Sequence, residues 1–523
     1  MTSTASADIP VEAGAGIPPA DGGARPSTLR RRAAHPYVWF SCLVFALMVP
    51  ICLWLPWGGD LGVHAATLER LRASLTHPGN PMVAEQTPSP YYSPWTVSLT
   101  LIGRLTGLGT FHLLSVGGLI SLPVMVSGVF RLTRALTPAR WAPVLAFLCV
   151  MLLWGPQVWS WSGFLSLTSW ALSLSYPSTI GWGLTLHLWA FLPLVARRGW
   201  RWPDCLGLGA FAALVLLVHQ FTGAIAVIGA VAFAAASWRS LDRRACLRVG
   251  SGIALTAVIL ALWPYYRFFS LGNSPEMDGI HKPLYQMLLA HFGFALVGLP
   301  ALYARARRRL LDPLLLLFAG CTAVYLAGAV SGHWAFGRIL PGALIALQFA
   351  AAVEVAERGG GLLVRRVLTP LVACGLLAGL WVQCGTVSYT VTGSSSLTRD
   401  TPVPHLDILS GYTWTTPYVR RGDVVMTDSY HAQRRLPAYG GYVVFCLFPD
   451  PFLKDWSVRR DDTVRFFSAS ASRAQREAIL RKYHVSWVIA AQGDSPRRTP
   501  GLTHPVAVGP HGERLYRVSG YAR

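Results

Sequence analysis

Apolar stretches long enough to cross the roughly 30 Å hydrocarbon core of a bilayer recur along this chain. They lie near residues 37–57, 111–131, 141–159, 179–196, 204–219, 221–238, 248–266, 284–303, 312–330, 334–353 and 366–389. A segment surrounded by lipid has to satisfy its own backbone polar groups, so stretches of this kind must be helical. An α-helical polytopic membrane protein with about eleven transmembrane helices is the expected fold. The composition agrees: 53% of residues are hydrophobic and 13% charged, against roughly 25% charged in a soluble domain.

The connections between these stretches alternate in charge. Arginine clusters fall at Arg30 to Arg32, at Arg131, Arg134 and Arg140, at Arg197, Arg198 and Arg201, from Arg239 to Arg248, from Arg305 to Arg309, and from Arg358 to Arg366. By the positive-inside rule these connections and the N-terminus are cytoplasmic. The rule leaves Asp60, the first outer loop 58–110, the 267–283 loop and everything after about 390 on the outer face. A formal net charge of +21 is thereby explained without nucleic acid. The expected location is a bacterial cytoplasmic membrane.

Outside the spans, residues 1–34 are rich in Ala, Gly, Pro and Ser without apolar period and read as a disordered cytoplasmic tail. Residues 35–390 form the transmembrane domain. Within the first outer loop, Leu61, Ala65, Leu68, Leu71 and Leu75 recur at helical spacing, with Glu69, Arg70 and Arg72 elsewhere, which predicts a short helix lying along the membrane surface. Residues 391–523 return to soluble composition, with strand-like 423–427, 442–446 and 486–489 and helix-like 472–483, and read as an extracytoplasmic α/β domain. Seven of nine cysteines lie in apolar spans, and no Cys-x-x-Cys spacing occurs, so neither a disulfide framework nor a thiolate metal site is expected.

A first span ending in Trp57-Gly-Gly-Asp60, a long outer loop with a surface helix, Tyr91-Tyr-Ser-Pro94 leading back to the membrane, basic inner loops and an outer C-terminal α/β domain together resemble the GT-C class of membrane glycosyltransferases. Within that class the chain looks like the bacterial mannosyl- and arabinosyltransferases that use polyprenyl-phosphate sugars. Val218-His-Gln-Phe-Thr-Gly223 is close to a His-Pro-Phe-Thr-Gly pattern of related proteins, with Gln220 in the place of Pro, and Phe336-Gly-Arg338 stands near the outer end of a late span. The resemblance implies transfer of a sugar from a polyprenyl phosphate to an acceptor hydroxyl on a glycan, lipid, protein or natural product, with Asp60 as general base.

The chemistry asks for a base to take the acceptor proton and for cations to steady the departing phosphate. Phosphate is a good leaving group, and no His/Asp spacing suggests metal ligands, so no metal and no cofactor are expected. A single carboxylate suits direct displacement with inversion. Each candidate has two readings. Asp60 is the base, or a solvated acid that ends a span. His64, one turn later, orients that carboxylate or contacts substrate, or is an interfacial histidine without a role. Arg338 grips the lipid phosphate through its planar donor fork, or snorkels to headgroups. His281 and Lys282 bind phosphate beside it, or are solvated loop charges. Tyr91 and Tyr92 stack on sugar, or belong to the aromatic belt. His219 and His333 contact substrate, or are structural. The alternative function is a transporter or lipid-linked-sugar flippase. Against it stand charged residues at the outer rim rather than in paired halves at mid-bilayer. A non-catalytic envelope protein on the same scaffold is the second alternative.

Overall fold

The computed structural model describes residues 35–272, 275–357, 364–393, 410–491 and 505–519. The expected tail at 1–34 lies outside the described residues. Among them, seven helices are long and apolar enough to cross a bilayer: Pro36–Trp54, Thr110–Leu136, Pro177–Arg197, Arg243–Ala261, Leu288–Arg308, Pro313–Ser331 and Trp334–Ala356. Arg366–Val382 and Cys384–Thr392, bent by 49° at their junction, make up to one more. Ala142–Leu152, Trp202–Val218 and Gln220–Ala236 are shorter apolar helices. Every apolar stretch of the sequence thus carries a helix. The last three, at 1.5 Å per residue, rise only about 17–26 Å.

Local chemistry sets the helix ends. Ser93 and Thr96 form a reciprocal capping box ahead of Pro94–Thr106, and Asp312 accepts from the Leu314 and Leu315 amides ahead of Pro313–Ser331. In both, proline takes the first helical position, where its missing N–H costs nothing. The expected span at 141–159 is helical only as far as Leu152. Beyond it, Gly155 runs so close to the next layer that a Cβ would stand 2.2 Å from the Ala290 carbonyl oxygen. The Gln157 amide donates to that same carbonyl at 3.0 Å. Glycine and proline at 155 and 156 stop the helix, and 153–166 becomes an irregular segment that ends at the cavity described below.

Three of the basic connections, at 197–201, 239–248 and 305–309, lie against one another. Arg248 donates to the carbonyls of Gly199 and Trp200, Arg309 to that of Ala236, and Arg305 binds Asp312 at 2.7 Å and Glu354 at 3.4 Å. Glu354 is buried and also accepts from Arg308.

The C-terminal segment carries a five-stranded sheet of order β2-β1-β3-β5-β4, formed by β1 (Val424–Thr427), β2 (Tyr442–Val443), β3 (Val485–Ala490), β4 (Ala507–Val508) and β5 (Arg514–Arg517). The strands β2, β1 and β3 run parallel, and β5 pairs antiparallel with β3 and β4. The helix expected at 472–483 is present as Arg473–Lys482, capped by Ser472 and Gln475.

The loop helix differs from its expected form. Leu61–Ala73 is buried along both its apolar and its polar face from Leu61 to Leu71, because the C-terminal domain covers the side that the sequence pattern assigns to water. Val63 and Ala66 join Met82 and Val83 in one core with Val425, Val443, Ile489 and Leu515. Arg70, expected on a solvated face, is buried; it donates to the carbonyls of Gly440 and Gly441 at 2.9 and 2.5 Å and lies 3.6 Å over the Tyr442 ring. Arg421 pairs with Glu69. At Gly62 the fit leaves no room for a side chain, since a Cβ would sit 1.9 Å from the Arg434 carbonyl oxygen. Gly62→Ala is therefore expected to destabilise the docked domain by about 1–3 kcal/mol, the usual range for overpacking. Limited proteolysis of the 410–519 segment checks this, and an unchanged cleavage rate would contradict it.

Candidate functional site

Between the bundle and the C-terminal domain lies an open cavity of about 610 Å³. Five parts of the chain build its wall: the start of the first loop (Gly58 to His64, Tyr91), the stretch 160–177 with its short helix Leu167–Leu172, the helix junction at 218–221, the short helix Pro275–His281 with Arg338, and the C-terminal segments around Tyr430, Arg434 and Phe448. Asp60 is the single acid among the described residues lining it.

Asp60 occupies the N-cap position of Leu61–Ala73 yet makes no side-chain capping bond. An aspartate there ordinarily accepts from the first helical amides. Here the carboxylate turns to Arg434, whose Nη2 lies 3.3 Å from Oδ1 and 3.1 Å from the Gly59 carbonyl oxygen. The guanidinium of Arg434 is flanked by the rings of Tyr430 and Phe448 at 5.1 and 4.8 Å. The base candidate is therefore held by a cation from the far end of the sequence. Below it, Tyr176 donates to the Gly58 carbonyl and fixes the loop.

Arg338, in the 3-10 turn Trp334–Ile339, is 7% exposed and lies 4.7 Å over the Phe221 ring. It has no hydrogen-bond or ion-pair partner among the described residues, and it lines the cavity. Gly163 runs beside it at φ 86°, a backbone conformation that favours glycine; its Cβ position lies in ordinary contact range, 3.5 Å from Arg338 Nη2 and 3.7 Å from His219 Cε1. His219 caps Gln220–Ala236, its Nδ1 accepting from the Thr222 amide at 3.2 Å. The Val218 to Gly223 motif thus supplies both the cap and Phe221.

The structure brings Asp60, His64, Tyr91, His219, His281 and Arg338 to one cavity and leaves three candidates out of it. Tyr92 points away from its neighbour, buried, with its hydroxyl donating to the Gly79 carbonyl at 2.7 Å. Lys282 is exposed and does not line the cavity. His333 is exposed and its Nδ1 lies 3.2 Å from Asp278 Oδ2. His64 lines the cavity, and its backbone amide donates to the Asp60 carbonyl at 3.2 Å, but its ring packs 4.6 Å from Tyr176 and its Nδ1 is buried without a partner among the described residues, so the side chain makes no bond to the carboxylate there. It does not orient the carboxylate, because the helix turns the ring to the tyrosine pair. Tyr430 and Arg434 belong to the polar 427–440 segment that follows a strand, and Phe221 to the 218–223 motif; the sequence marks both segments but does not assign a role to these three side chains.

Comparison with solved structures identifies the architecture. No protein-family model matches the chain, and no curated protein matches it in sequence. The arabinofuranosyltransferase AftD from Mycobacteria matches in structure at TM-score 0.52 and 16% identity, over 92% of this chain and 40% of that one. This chain thus spans less than half the length of AftD. ArnT from Cupriavidus metallidurans, solved bound to undecaprenyl phosphate, matches at TM-score 0.51 and 15% identity, over 92% of this chain and 98% of that one.

Burial holds two ring nitrogen systems in the neutral state. Desolvation lowers His64 to about 4, against a smaller opposing effect of Asp60. Desolvation and then Arg338 lower His281 to about 4, against the Met277 carbonyl, Asp60 and Asp278. A folded pKa below the unfolded value of roughly 6.5 gives stability that is complete above pH 6.5 and lost as pH falls towards 4, by about 3 kcal/mol per ring at most. The melting temperature of the detergent-solubilised chain is expected to fall across that window, and His64→Gln to flatten the fall; a fall of equal size in the variant would refute the assignment. Helix order, the sheet capping the cavity end and the matched solved structures make this chain a polytopic membrane protein of GT-C fold.

Proposed function

We propose that this protein is a membrane glycosyltransferase that moves a sugar from a polyprenyl phosphate to an acceptor hydroxyl, with Asp60 as general base. The observation that carries this reading is Arg338: a buried guanidinium with no hydrogen-bonded or ion-paired anion among the described residues, opening on the same cavity as Asp60. A charge taken out of water in this way calls for an anionic ligand. The planar fork of arginine suits phosphate. Similarity in fold to ArnT, a protein solved with undecaprenyl phosphate, supports a lipid-linked phosphate as that anion.

In the reaction the acceptor oxygen attacks the anomeric carbon, the bond from that carbon to the phosphate oxygen breaks, and the phosphate leaves with the electron pair. The proton of the acceptor passes to Asp60 as the new bond forms, and configuration inverts. Arg338 stabilises the charge that collects on the departing phosphate. Arg434 holds the Asp60 carboxylate towards the cavity and brings the C-terminal domain to the acceptor. Phe448 and Tyr430 line that side. The positive-inside pattern supports a multi-pass protein of a bacterial cytoplasmic membrane whose N-terminus is cytoplasmic, with the cavity and the C-terminal domain outside.

The test is turnover of radiolabelled polyprenyl-phosphate sugars by the purified chain against a panel of glycan, lipid and protein acceptors. Asp60→Asn is expected to bind donor and to lose transfer by about 10²–10⁴-fold, the usual contribution of a general base. Arg338→Ala is expected to weaken undecaprenyl phosphate binding by about 10–100-fold. Full transfer by the asparagine variant would remove Asp60 from the mechanism. Movement of intact lipid across vesicles without transfer would replace the enzyme by a flippase.

A further inference from the structure

Two histidines flank Phe221 and Arg338, and the hydrogen bonds on their inner nitrogens favour opposite tautomers. His219 Nδ1 lies 3.2 Å from the Thr222 backbone amide and 2.8 Å from the Thr222 hydroxyl, which is able to donate as well as accept, so a lone pair on Nδ1 satisfies both contacts. An amide N–H only donates, so Nδ1 carries the lone pair and Nε2 carries the proton. His281 is the reverse. Its Nδ1 lies 2.7 Å from the Met277 carbonyl oxygen, which only accepts, so Nδ1 carries the proton and Nε2 the lone pair. Neither Nε2 has a protein partner among the described residues, and both rings line the cavity. Phe221 touches all of these groups: its ring lies 6.1 Å from that of His219, 5.4 Å from that of His281 and 4.7 Å from the Arg338 guanidinium.

The position of His281 relative to Arg338 is fixed by Asp278. Its Oδ1 accepts from the Ala335 amide at 2.9 Å and its Oδ2 meets His333 at 3.2 Å, tying the Pro275–His281 helix to the turn that carries Arg338. Gly337 closes the same seam, where a Cβ would lie 2.8 Å from the Tyr285 ring. His333 therefore serves this seam rather than the cavity.

A lone pair next to an arginine sorts the parts of a glycosyl phosphate. Phosphate oxygens at neutral pH have no proton to give, so Nε2 of His281 repels them, whereas Arg338 and Nε2–H of His219 attract them. Burial together with Arg338 keeps the ring uncharged, its pKa pushed down to about 4, so it does not become a donor near pH 7. The groups on the ligand that can donate are sugar hydroxyls. The nucleophilic hydroxyl of the acceptor belongs to Asp60, which leaves those of the donor sugar, next to the phosphate. Resting on the glycosyltransferase reading above, we propose that His281 selects the donor's sugar by accepting one of its hydroxyl protons, and that it is not a ligand of the phosphate.

The experiment separates sugar from phosphate. Binding of bare undecaprenyl phosphate and of undecaprenyl-phosphoryl mannose, glucose and arabinofuranose is measured on the purified full chain and on His281→Ala, His281→Gln and Arg338→Ala. His281→Ala is expected to keep the affinity of wild type for the bare lipid phosphate within about twofold and to weaken the best glycosylated ligand by about tenfold. His281→Gln, whose amide oxygen reaches the place of Nε2, is expected to recover most of that loss. Arg338→Ala is expected to weaken both kinds of ligand. Equal losses on bare and glycosylated lipid in His281→Ala would make His281 a phosphate ligand, and no loss on either would make it structural; each result overturns the proposal. If alanine at 281 prevents folding, His281→Leu takes its place under the same criteria: loss confined to the glycosylated ligands upholds the assignment, and equal loss on both kinds or loss on neither overturns it. Failure of wild type to bind bare undecaprenyl phosphate is a different result, since it removes the glycosyltransferase reading itself.

Discussion

A guanidinium held out of bulk water with no anion in contact among the described residues costs several kcal/mol. Arg338 is in that position, and its surroundings are arranged to keep it there. Phe221 takes one face of the charge, the left-handed backbone at Gly163 runs beside Nη2, and Asp278 pins the turn to the neighbouring helix. None of these contacts neutralises it. The fold tolerates the charge because eleven apolar segments and a docked domain supply far more burial than one cation removes, a pattern expected of functional sites rather than of packing.

The second dependency runs between the ends of the chain. Asp60 stands at the end of the first span and Arg434 is 374 residues later, yet they pair across the cavity rim. Docking of Leu61–Ala73 under the sheet makes that pairing, through the bare backbone at Gly62 and the three-carbonyl grip of Arg70 on Pro81, Gly440 and Gly441. The first loop and the C-terminal segment consequently share one core, and the wall of the cavity is composite. A loop helix that lay on the bilayer with a wet polar face, as its sequence pattern suggests, would leave Arg434 far from the carboxylate.

Much of the scaffold was legible because it rests on local composition. Apolar length and alternating arginine clusters report on each segment separately, and every such stretch carries a helix, although 141–159 stops at Leu152 where Gly155 and Pro156 turn the chain aside. The site was legible only in outline. Tyr91 and Tyr92 are neighbours, and so are His281 and Lys282, but one of each pair lines the cavity and the other does not. Adjacent side chains leave a backbone in different directions, so nearness in sequence cannot choose between them. Arg434 stands in a polar loop after a strand, a usual place for ligand contacts, but nothing local tells that its partner is Asp60.

The sequence by itself determined that the chain is a helical membrane protein, where its connections are basic, and that an acid stands at the end of the first span, since hydropathy and charge act residue by residue. Tertiary structure alone decided which cation holds that acid, which arginine stays unpaired, and which nitrogen of His219 and of His281 faces the cavity. Those outcomes depend on which backbone amide or carbonyl meets each side chain after packing, and a hydrogen bond a few ångströms long is set by the positions of elements far apart in the chain.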